Sequence, residues 1–212
     1  MDRVTAWLDA WVAGVIREAP APSALQAAMS SLSRARCELA LAGLDGSGKT
    51  TLAHAIRGAE PTAIQGQHAP TIGVVVQNVR CSGVALALWD LGGQQRFRFD
   101  WARHVQGSGA LLFAVDLADR TRLPEARQAL HQLLEAPALR EIPLLILANK
   151  TDLLAAEARE RYAADGWALL IKELQLDHAP CRTWSVLGVS ALRQQNLGKL
   201  IRWIVLRAHG CT

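Results

Sequence analysis

Closely spaced cysteines are missing from this sequence. Cys37, Cys81, Cys181 and Cys211 stand far apart, and no CxxC pair occurs. Structural zinc sites and disulfide scaffolds need cysteines at short, regular spacings, so the sequence argues against both as the basis of the fold. Scattered cysteines of this kind are typical of proteins that work in a reducing compartment.

Long apolar runs and a strong net charge are also lacking. No uncharged apolar run reaches the roughly 18 residues that a membrane-spanning helix needs. The 23 basic and 19 acidic side chains leave a net charge of only +4, spread along the chain, which argues against a nucleic-acid-binding surface. Asp2 and Asp9 interrupt the first apolar stretch, which is not typical of a secretory signal. We therefore expect a cytoplasmic protein that binds no nucleic acid.

Apolar residues are plentiful enough for a full core. Of the 212 residues 50% are hydrophobic, which suits one domain with an appendage. We predict the boundary at residue 36, with an N-terminal appendage over residues 1–35 and the main domain over residues 36–212.

The main domain alternates short apolar runs with helical patterns. The runs predict strands over residues 38–42, 72–79, 84–89, 110–115, 143–148 and 183–189, and the helical patterns cover residues 49–57, 122–134, 155–176 and 195–208. Several runs are almost continuously apolar, as in parallel strands that helices cover on both faces, so we expect an α/β fold. Only residues 72–79 and 84–89 are joined by a turn short enough for an antiparallel hairpin, which we place at a sheet edge.

A predicted phosphate-binding loop follows the first strand. The segment Gly43-Leu44-Asp45-Gly46-Ser47-Gly48-Lys49-Thr50 fits the pattern GxxxxGK followed by Ser or Thr. The backbone N–H groups of such a loop and the positive end of the next helix surround a phosphate. Lys49 would neutralise the β- and γ-phosphate oxygens, and the Thr50 hydroxyl would bind Mg²⁺. The predicted phosphate-binding residues are Gly43, Asp45, Gly46, Ser47, Gly48, Lys49, Thr50, Thr51, Thr71 and Gly93.

A predicted base-binding loop follows the strand over residues 143–148. It reads Asn149-Lys150-Thr151-Asp152, at the carboxyl end of a strand, where ligands bind in open α/β sheets. The Asp152 carboxylate can accept hydrogen bonds from guanine N1–H and its exocyclic amine, donors that adenine does not present in this arrangement. The Lys150 stem would lie along the base, and Asn149 would tie the loop to the phosphate loop.

The residues around the third strand predict a metal and water site. In Trp89-Asp90-Leu91-Gly92-Gly93-Gln94, Asp90 would hold Mg²⁺ through a water. Gly93 has no side chain, so its N–H can approach the γ-phosphate, and Gln94 is the predicted catalytic residue because it would orient the attacking water. Thr71, in Pro70-Thr71-Ile72-Gly73, would complete the metal shell with its hydroxyl.

The spellings GLDGSGKTT, PTIG, WDLGGQ and NKTD, in this order, resemble the Arf and Arf-like small GTPases over about residues 36–208. The resemblance implies a mixed six-stranded sheet flanked by helices, bound GTP or GDP with Mg²⁺, and a monomer. It also implies an exchange factor, an activating protein that assists hydrolysis, and effectors. Ser190 and Ala191 match the family element that contacts the guanine carbonyl. Residues 92–101 and 136–143 resemble most the Arf-like subgroup found on lysosomes.

Some positions depart from that family. Val74 and His104 stand where members often carry Phe and Tyr in an aromatic effector patch with the tryptophan, here Trp89. Extra residues lie around 61–67 and around 157–180. Arg96 and Arg98 flank Gln94; we expect them to be solvated residues that meet regulators, although a self-supplied arginine finger is conceivable.

The appendage carries the pattern of an amphipathic helix. One apolar face comprises Val4, Trp7, Leu8, Trp11, Val12, Val15 and Ile16. Two tryptophans suit a membrane–water interface, so we expect reversible binding to endomembranes, with the lysosome or late endosome favoured by the subgroup resemblance. Two alternatives remain open: a soluble Arf-like cargo-release or cytoskeletal regulator whose helix packs only on the body, and a nucleotide-locked effector scaffold with negligible turnover.

Overall fold

The computed structural model describes residues 36–60, 69–81, 84–165, 167–180 and 183–208. The predicted membrane helix, the rest of residues 1–35 and the extra residues 61–67 lie outside these ranges. The predicted division at residue 36 therefore stays a prediction.

The centre of the domain is a six-stranded sheet with the order β2-β3-β1-β4-β5-β6. The strands are β1 Arg36–Gly43, β2 Val74–Cys81, β3 Val84–Leu91, β4 Ala110–Asp116, β5 Leu144–Asn149 and β6 Trp184–Gly188. Only β2 runs antiparallel to its neighbour, from Val74 opposite Leu91 to Cys81 opposite Val84. The other neighbouring pairs are parallel. The predicted mixed sheet with an antiparallel hairpin at one edge is therefore confirmed.

Helices flank this sheet. They are α1 Lys49–Ile56, α2 Gln95–Arg98, α3 Trp101–Val105, α4 Leu123–Leu134, α5 Ala156–Ala164, α6 Ala168–Leu174 and α7 Leu197–Ala208. Single 3-10 turns cover Arg120–Arg122, Pro137–Leu139, Thr151–Leu153 and Leu176–His178. None of the described helices is long and apolar enough to cross a membrane.

The apolar strands are explained by two cores, one on each face of the sheet. Alternate residues of β1 serve opposite faces: Leu39 and Leu41 join the core under α1 and α7, whereas Ala40 and Ala42 join the core under α3, α4 and α6. Because consecutive side chains of a strand point to opposite faces, a strand covered on both sides must be apolar at every position. This arrangement leaves the carboxyl ends of β1, β3, β4 and β5 at one edge of the sheet, where the predicted motifs begin.

The predicted single helix over residues 155–176 is wrong. The segment forms α5 and α6, which are interrupted at Trp167, whose φ of 71° lies in the left-handed region. The carboxylate of Asp165 accepts a hydrogen bond from the Trp167 backbone N–H at 3.0 Å, a local bond that competes with helical continuation. The Trp167 indole stacks on Tyr162 at 5.4 Å and covers Gly188, where a Cβ would overlap the indole ring.

The nucleotide-binding site

The phosphate loop connects β1 to α1 and is shaped by glycine. Gly43 and Gly48 have φ of 140° and 84°, a range that favours glycine. A Cβ at Gly48 would overlap the side-chain amide of Asn149. The Ser47 hydroxyl donates to the Leu44 carbonyl at 2.8 Å and so closes the loop on itself. The loop is therefore formed by its own bonds together with contact from β5.

Lys49 is almost fully buried at the floor of this loop. Its Nζ donates to the Leu44 carbonyl at 2.7 Å. Burial lowers the pKa of Lys49 to about 8, although the carboxylates of Asp90 and Asp45 act in the opposite direction. A buried ammonium that forms no ion pair among the described residues is suited to bind phosphate oxygens, which would stabilise its charged form.

Three predicted metal ligands converge beside Lys49. The Thr50 hydroxyl donates to Asp90 Oδ2 at 2.7 Å and lies 2.7 Å from the Thr71 hydroxyl. Thr71 also donates to Asp90 Oδ2, at 3.4 Å. Burial raises the pKa of Asp90, and its Oδ1 is buried without a hydrogen-bond partner among the described residues. Two hydroxyls and a carboxylate with an unsatisfied oxygen form the oxygen-rich donor set that Mg²⁺ prefers.

The segment after β3 lies directly on the phosphate loop. Gly92 donates from its backbone N–H to the Gly73 carbonyl at 2.7 Å, and its own carbonyl accepts from the Trp101 indole at 2.9 Å. A Cβ at Gly93 would overlap the backbone of the phosphate loop and Nζ of Lys49. Only glycine fits at position 93 in this conformation. Gln94 follows at the surface, where its Oε1 accepts from Arg96 Nε at 3.1 Å.

The base-binding loop is tied to two other elements. The Asn149 side chain is buried; its Nδ2 donates to the Ser47 carbonyl at 2.8 Å, and its Oδ1 accepts from the Ala191 N–H at 3.2 Å. The Thr151 hydroxyl donates to the Val189 carbonyl at 3.0 Å. Lys150 has a φ of 63°, and its ammonium pairs with Asp116 at 2.7 Å. Asn149 thus connects the phosphate loop with the loop after β6.

A single cavity of about 660 Å³ brings most of the predicted residues together. The predicted residues that line it are Asp45, Gly46, Gly48, Lys49, Thr50, Thr51, Thr71, Gly93, Asn149, Lys150, Asp152 and Ala191. Gly43, Ser47, Asp90 and Ser190 are buried behind this lining, and Gln94 lies outside it. A volume of this size suits a nucleotide.

Asp116 is a residue that the sequence reasoning missed. It ends β4, next to β5, and its carboxylate holds Lys150. A polar residue at the carboxyl end of an apolar strand was the available signal, since the same signal identified Asp90 and Asn149. Holding the ammonium fixes the path of the Lys150 stem.

His104, one of the two positions that depart from the family pattern, forms an aromatic pair with Trp89. The His104 ring lies 5.9 Å from the Trp89 ring, tilted by 32°, and Val74 also packs beside the same core. Trp89 Nε1 is buried without a hydrogen-bond partner in the described part of the chain.

Comparisons with known proteins agree with this geometry. The family model described as the ADP-ribosylation factor family matches residues 24–208. The chain belongs to the Arf family. ADP-ribosylation factor-like protein 8c of Arabidopsis thaliana is 35% identical over 175 residues, which cover 82% of this chain and 89% of that protein. ADP-ribosylation factor-like protein 8d of the same plant is 35% identical over 168 residues, 79% and 89% of the two chains.

A solved structure shows the same fold. It is that of the small GTPase Arl6 (BBS3) from Trypanosoma brucei with the bound nucleotide analogue GppNp, with a TM-score of 0.63 and 22% identity, covering 84% of this chain and 99% of that chain. As a member of the Arf family, this protein is a small GTPase that binds GTP and GDP, hydrolyses GTP and acts as a molecular switch. Regulators and effectors act on such switches as a class.

Proposed function

We propose that this Arf-family GTPase hydrolyses GTP with Mg²⁺ and with the predicted site residues, and that it acts in membrane traffic. The observation that carries the site assignment is the convergence of the oxygens of Thr50, Thr71 and Asp90 beside the buried Lys49. Hydroxyl and carboxylate oxygens next to a phosphate-binding lysine are the arrangement that phosphoryl transfer needs.

The donor set supports Mg²⁺ at this place. Thr50 and Thr71 would hold it directly, and Asp90, whose Oδ1 has a free lone pair, would hold it through water. When bound, Mg²⁺ supplies positive charge that stabilises the charge developing on the phosphates. Lys49, which lies beside this donor set, adds a second positive charge.

Asp152 would recognise guanine by accepting hydrogen bonds from its N1–H and exocyclic amine. It lines the cavity together with Lys150 and Ala191. The loop of Ser190 and Ala191 would meet the guanine carbonyl, with the Ala191 N–H shared between that carbonyl and Asn149 Oδ1, to which it donates at 3.2 Å. Both loops are joined by Asn149, so the base is expected to occupy a preformed slot.

Hydrolysis depends on Gln94, which we propose orients the attacking water. Gln94 directly follows Gly93, which lines the cavity and whose N–H would meet the γ-phosphate; in the described structure the Gln94 side chain accepts a hydrogen bond from Arg96. No arginine occupies the cavity among its described lining residues, so intrinsic turnover is expected to be slow, on the order of 10⁻³ per second or less.

Two variants test the hydrolysis assignment. Gln94→Leu should slow GTP hydrolysis with the activating protein present and leave nucleotide affinity nearly intact, because Gln94 acts on water. Thr50→Asn should instead favour the GDP-bound or empty state, because it disturbs the metal shell. Equal hydrolysis by the wild type and Gln94→Leu would refute the assignment and favour a nucleotide-locked scaffold.

Membrane binding is proposed from the amphipathic pattern of residues 4–16, with the lysosome or late endosome as the proposed destination. Two relatives are named ADP-ribosylation factor-like protein 8c and 8d, and the proposed destination rests on the resemblance of residues 92–101 and 136–143 to the lysosomal subgroup. Burying Trp7, Leu8, Trp11 and Val12 at a bilayer would contribute several kcal/mol from apolar area, about enough for micromolar binding. In the GDP form we expect residues 4–16 to pack beside the hairpin of β2 and β3. GTP would draw Thr71 and Gly93 inward, shift this hairpin and so release residues 4–16.

Liposome flotation tests this coupling. GTP-loaded protein should float with liposomes and GDP-loaded protein should largely stay in solution. Trp7→Glu combined with Trp11→Glu should abolish flotation without changing nucleotide affinity. Equal flotation of both nucleotide forms would refute the coupling, and no flotation of either would favour the soluble regulator. Fluorescence microscopy of the tagged chain would test the organelle.

A further inference from the structure

Arg98, at the end of α2, is not the solvated residue that we expected from the sequence. Its side chain is only 16% exposed. Arg98 Nε donates to the Gly93 carbonyl at 2.9 Å, and Nη2 pairs with Glu125 at 2.7 Å and with Asp45 at 3.5 Å. The expectation fails because carboxylates from two other elements surround the guanidinium. Arg96, by contrast, is exposed as expected.

A second arginine completes a four-residue cluster, the Arg98 cluster, which consists of Asp45, Arg98, Arg122 and Glu125. Arg122 Nη2 pairs with Asp45 Oδ1 at 2.9 Å, and its Nε pairs with Glu125 Oε2 at 2.9 Å. Its Nη1 also donates to the Asp45 backbone carbonyl at 2.9 Å. Each carboxylate therefore contacts both arginines, and the cluster joins the phosphate loop, α2 and α4.

The charges of the cluster reinforce one another. The hydrogen bond from Arg122 holds the pKa of Asp45 below its ordinary value, and the bonds from Arg122 and Arg98 do the same for the pKa of Glu125. Both carboxylates are thus ionised at neutral pH. Alternating charges with several shared hydrogen bonds form a more rigid unit than an isolated surface ion pair.

The cluster has a direct route to the proposed catalytic residue. The Gly93 carbonyl belongs to the peptide group whose nitrogen is that of Gln94, so the bond from Arg98 fixes the plane of this peptide. Asp45 and Glu125 hold Arg98 from the phosphate loop and from α4, which are anchored in the sheet and its packed helices. The position of Gln94 relative to the phosphate loop is therefore set through Arg98.

We propose that Arg98 is a positioning residue for GTP hydrolysis. Asp45 and Glu125 hold it so that the Gly93–Gln94 peptide keeps a fixed position relative to the phosphate loop. This inference rests on the proposed role of Gln94. Arg98 acts through that residue and does not contact the phosphates, which separates it from an arginine finger. Displacement of a catalytic group by about 1 Å can cost on the order of 100-fold in rate, so such a support has a measurable effect.

The test is single-turnover hydrolysis by the full chain loaded with GTP and Mg²⁺. Arg98→Lys keeps the charge, but an ammonium lacks the planar fork that reaches the Gly93 carbonyl and both carboxylates together. We expect Arg98→Lys to slow hydrolysis on the order of 10-fold or more and Glu125→Gln to slow it less. The rate of GDP dissociation should stay near that of the wild type for both variants, and the melting temperature should stay near it for Arg98→Lys. Arg103→Ala, at an exposed arginine of α3, is the matched control and should hydrolyse GTP normally.

A double variant separates positioning from a general structural effect. If Arg98 acts through Gln94, adding Arg98→Lys to Gln94→Leu should slow hydrolysis no further, because the orientation of the water is already lost. A double variant slower by the product of the two single effects would overturn the inference.

The remaining outcomes distinguish this inference from the function on which it rests. If Arg98→Lys hydrolyses GTP at the wild-type rate while Gln94→Leu is slow, the inference is wrong and the proposed function stands. If Gln94→Leu hydrolyses GTP at the wild-type rate, the role of Gln94 is wrong, and this inference fails with it.

Discussion

The proposed base side and the proposed γ-phosphate side of the cavity, called the base side and the γ side, are built in different ways. On the base side, Asn149 bonds to the phosphate loop and to Ala191, and β5 lies between two parallel neighbours. On the γ side, Thr71 and Gln94 lie outside the strands, next to the hairpin of β2 and β3. Among the described strands, β2 has a single neighbour.

This difference indicates which side of the cavity can change its structure in response to the nucleotide. A strand in the middle of a sheet cannot slide without breaking two ladders, whereas an edge strand breaks only one. A slip of β2 by two residues would keep its side chains on the same faces and move Thr71 by about 6.6 Å. We therefore expect base-side changes to alter affinity for both nucleotides, and γ-side changes to alter the difference between GTP and GDP.

The largest expected effect is on the base side. Asp152→Asn should weaken GTP and GDP alike by about 3 kcal/mol, because the guanine amine then faces a second amine. Xanthine nucleotides, which present a carbonyl there, should gain affinity. Titration with fluorescent GDP and XDP measures both changes, and unchanged guanine affinity would contradict the role of Asp152.

A second base-side change removes the hydrogen bonds by which Asn149 joins the two loops. Asn149→Ala deletes two buried hydrogen bonds, so we expect GDP and GTP to dissociate faster, by about 2 kcal/mol in affinity. The rate constant for hydrolysis of GTP that is already bound should change little. Stopped-flow dissociation and single-turnover hydrolysis measure these two expected effects. A variant that weakens one nucleotide much more than the other would contradict the assignment of Asn149 to the base side.

Gly93→Ala probes the γ side. The added Cβ would overlap the phosphate loop, so the segment has to move away at a cost of about 1–2 kcal/mol. The cost should fall on the GTP form and spare the GDP form, which does not need the Gly93 N–H. The ratio of the two dissociation constants measures it; an unchanged ratio would show that Gly93 is not drawn inward by GTP.

The smallest expected effect is a pH dependence at the Arg98 cluster. The pKa of Glu125 is lowered from its ordinary 4.5, chiefly by the hydrogen bond from Arg122. A lowered carboxyl pKa gives stability that is present above pH 4.5 and is lost as pH falls through the lowered value. The melting temperature of Glu125→Gln should therefore fall below that of the wild type at pH 6–7, and the two should converge as pH falls through the lowered pKa of Glu125. A difference that does not shrink as pH falls below 4.5 would exclude this electrostatic origin.

The sequence predicted those parts of the site that follow from local pattern. Asp90, Asn149 and the phosphate loop lie at the carboxyl ends of apolar strands, and parallel strands bring these ends to one edge. The break at Trp167 was missed because helical periodicity continues on both sides of it. The helix is interrupted where the Trp167 backbone N–H donates to the Asp165 carboxylate, a bond that the periodicity does not signal. Arg98 was misjudged because its partners lie on other elements. Pairings of this kind depend on the tertiary fold, and no spacing within the chain signals them.

The bond between Asn149 and Ser47 has a consequence for the order of folding. It joins residues 102 positions apart, so the slot exists only after most of the chain has been made and closed into a sheet. Contacts of such high sequence separation form late, because the entropy of loop closure precedes their gain. A ligand that needs this contact has little hold on the folding transition state. Bound nucleotide should therefore slow unfolding while leaving the folding rate almost unchanged, which makes the loaded switch kinetically long-lived.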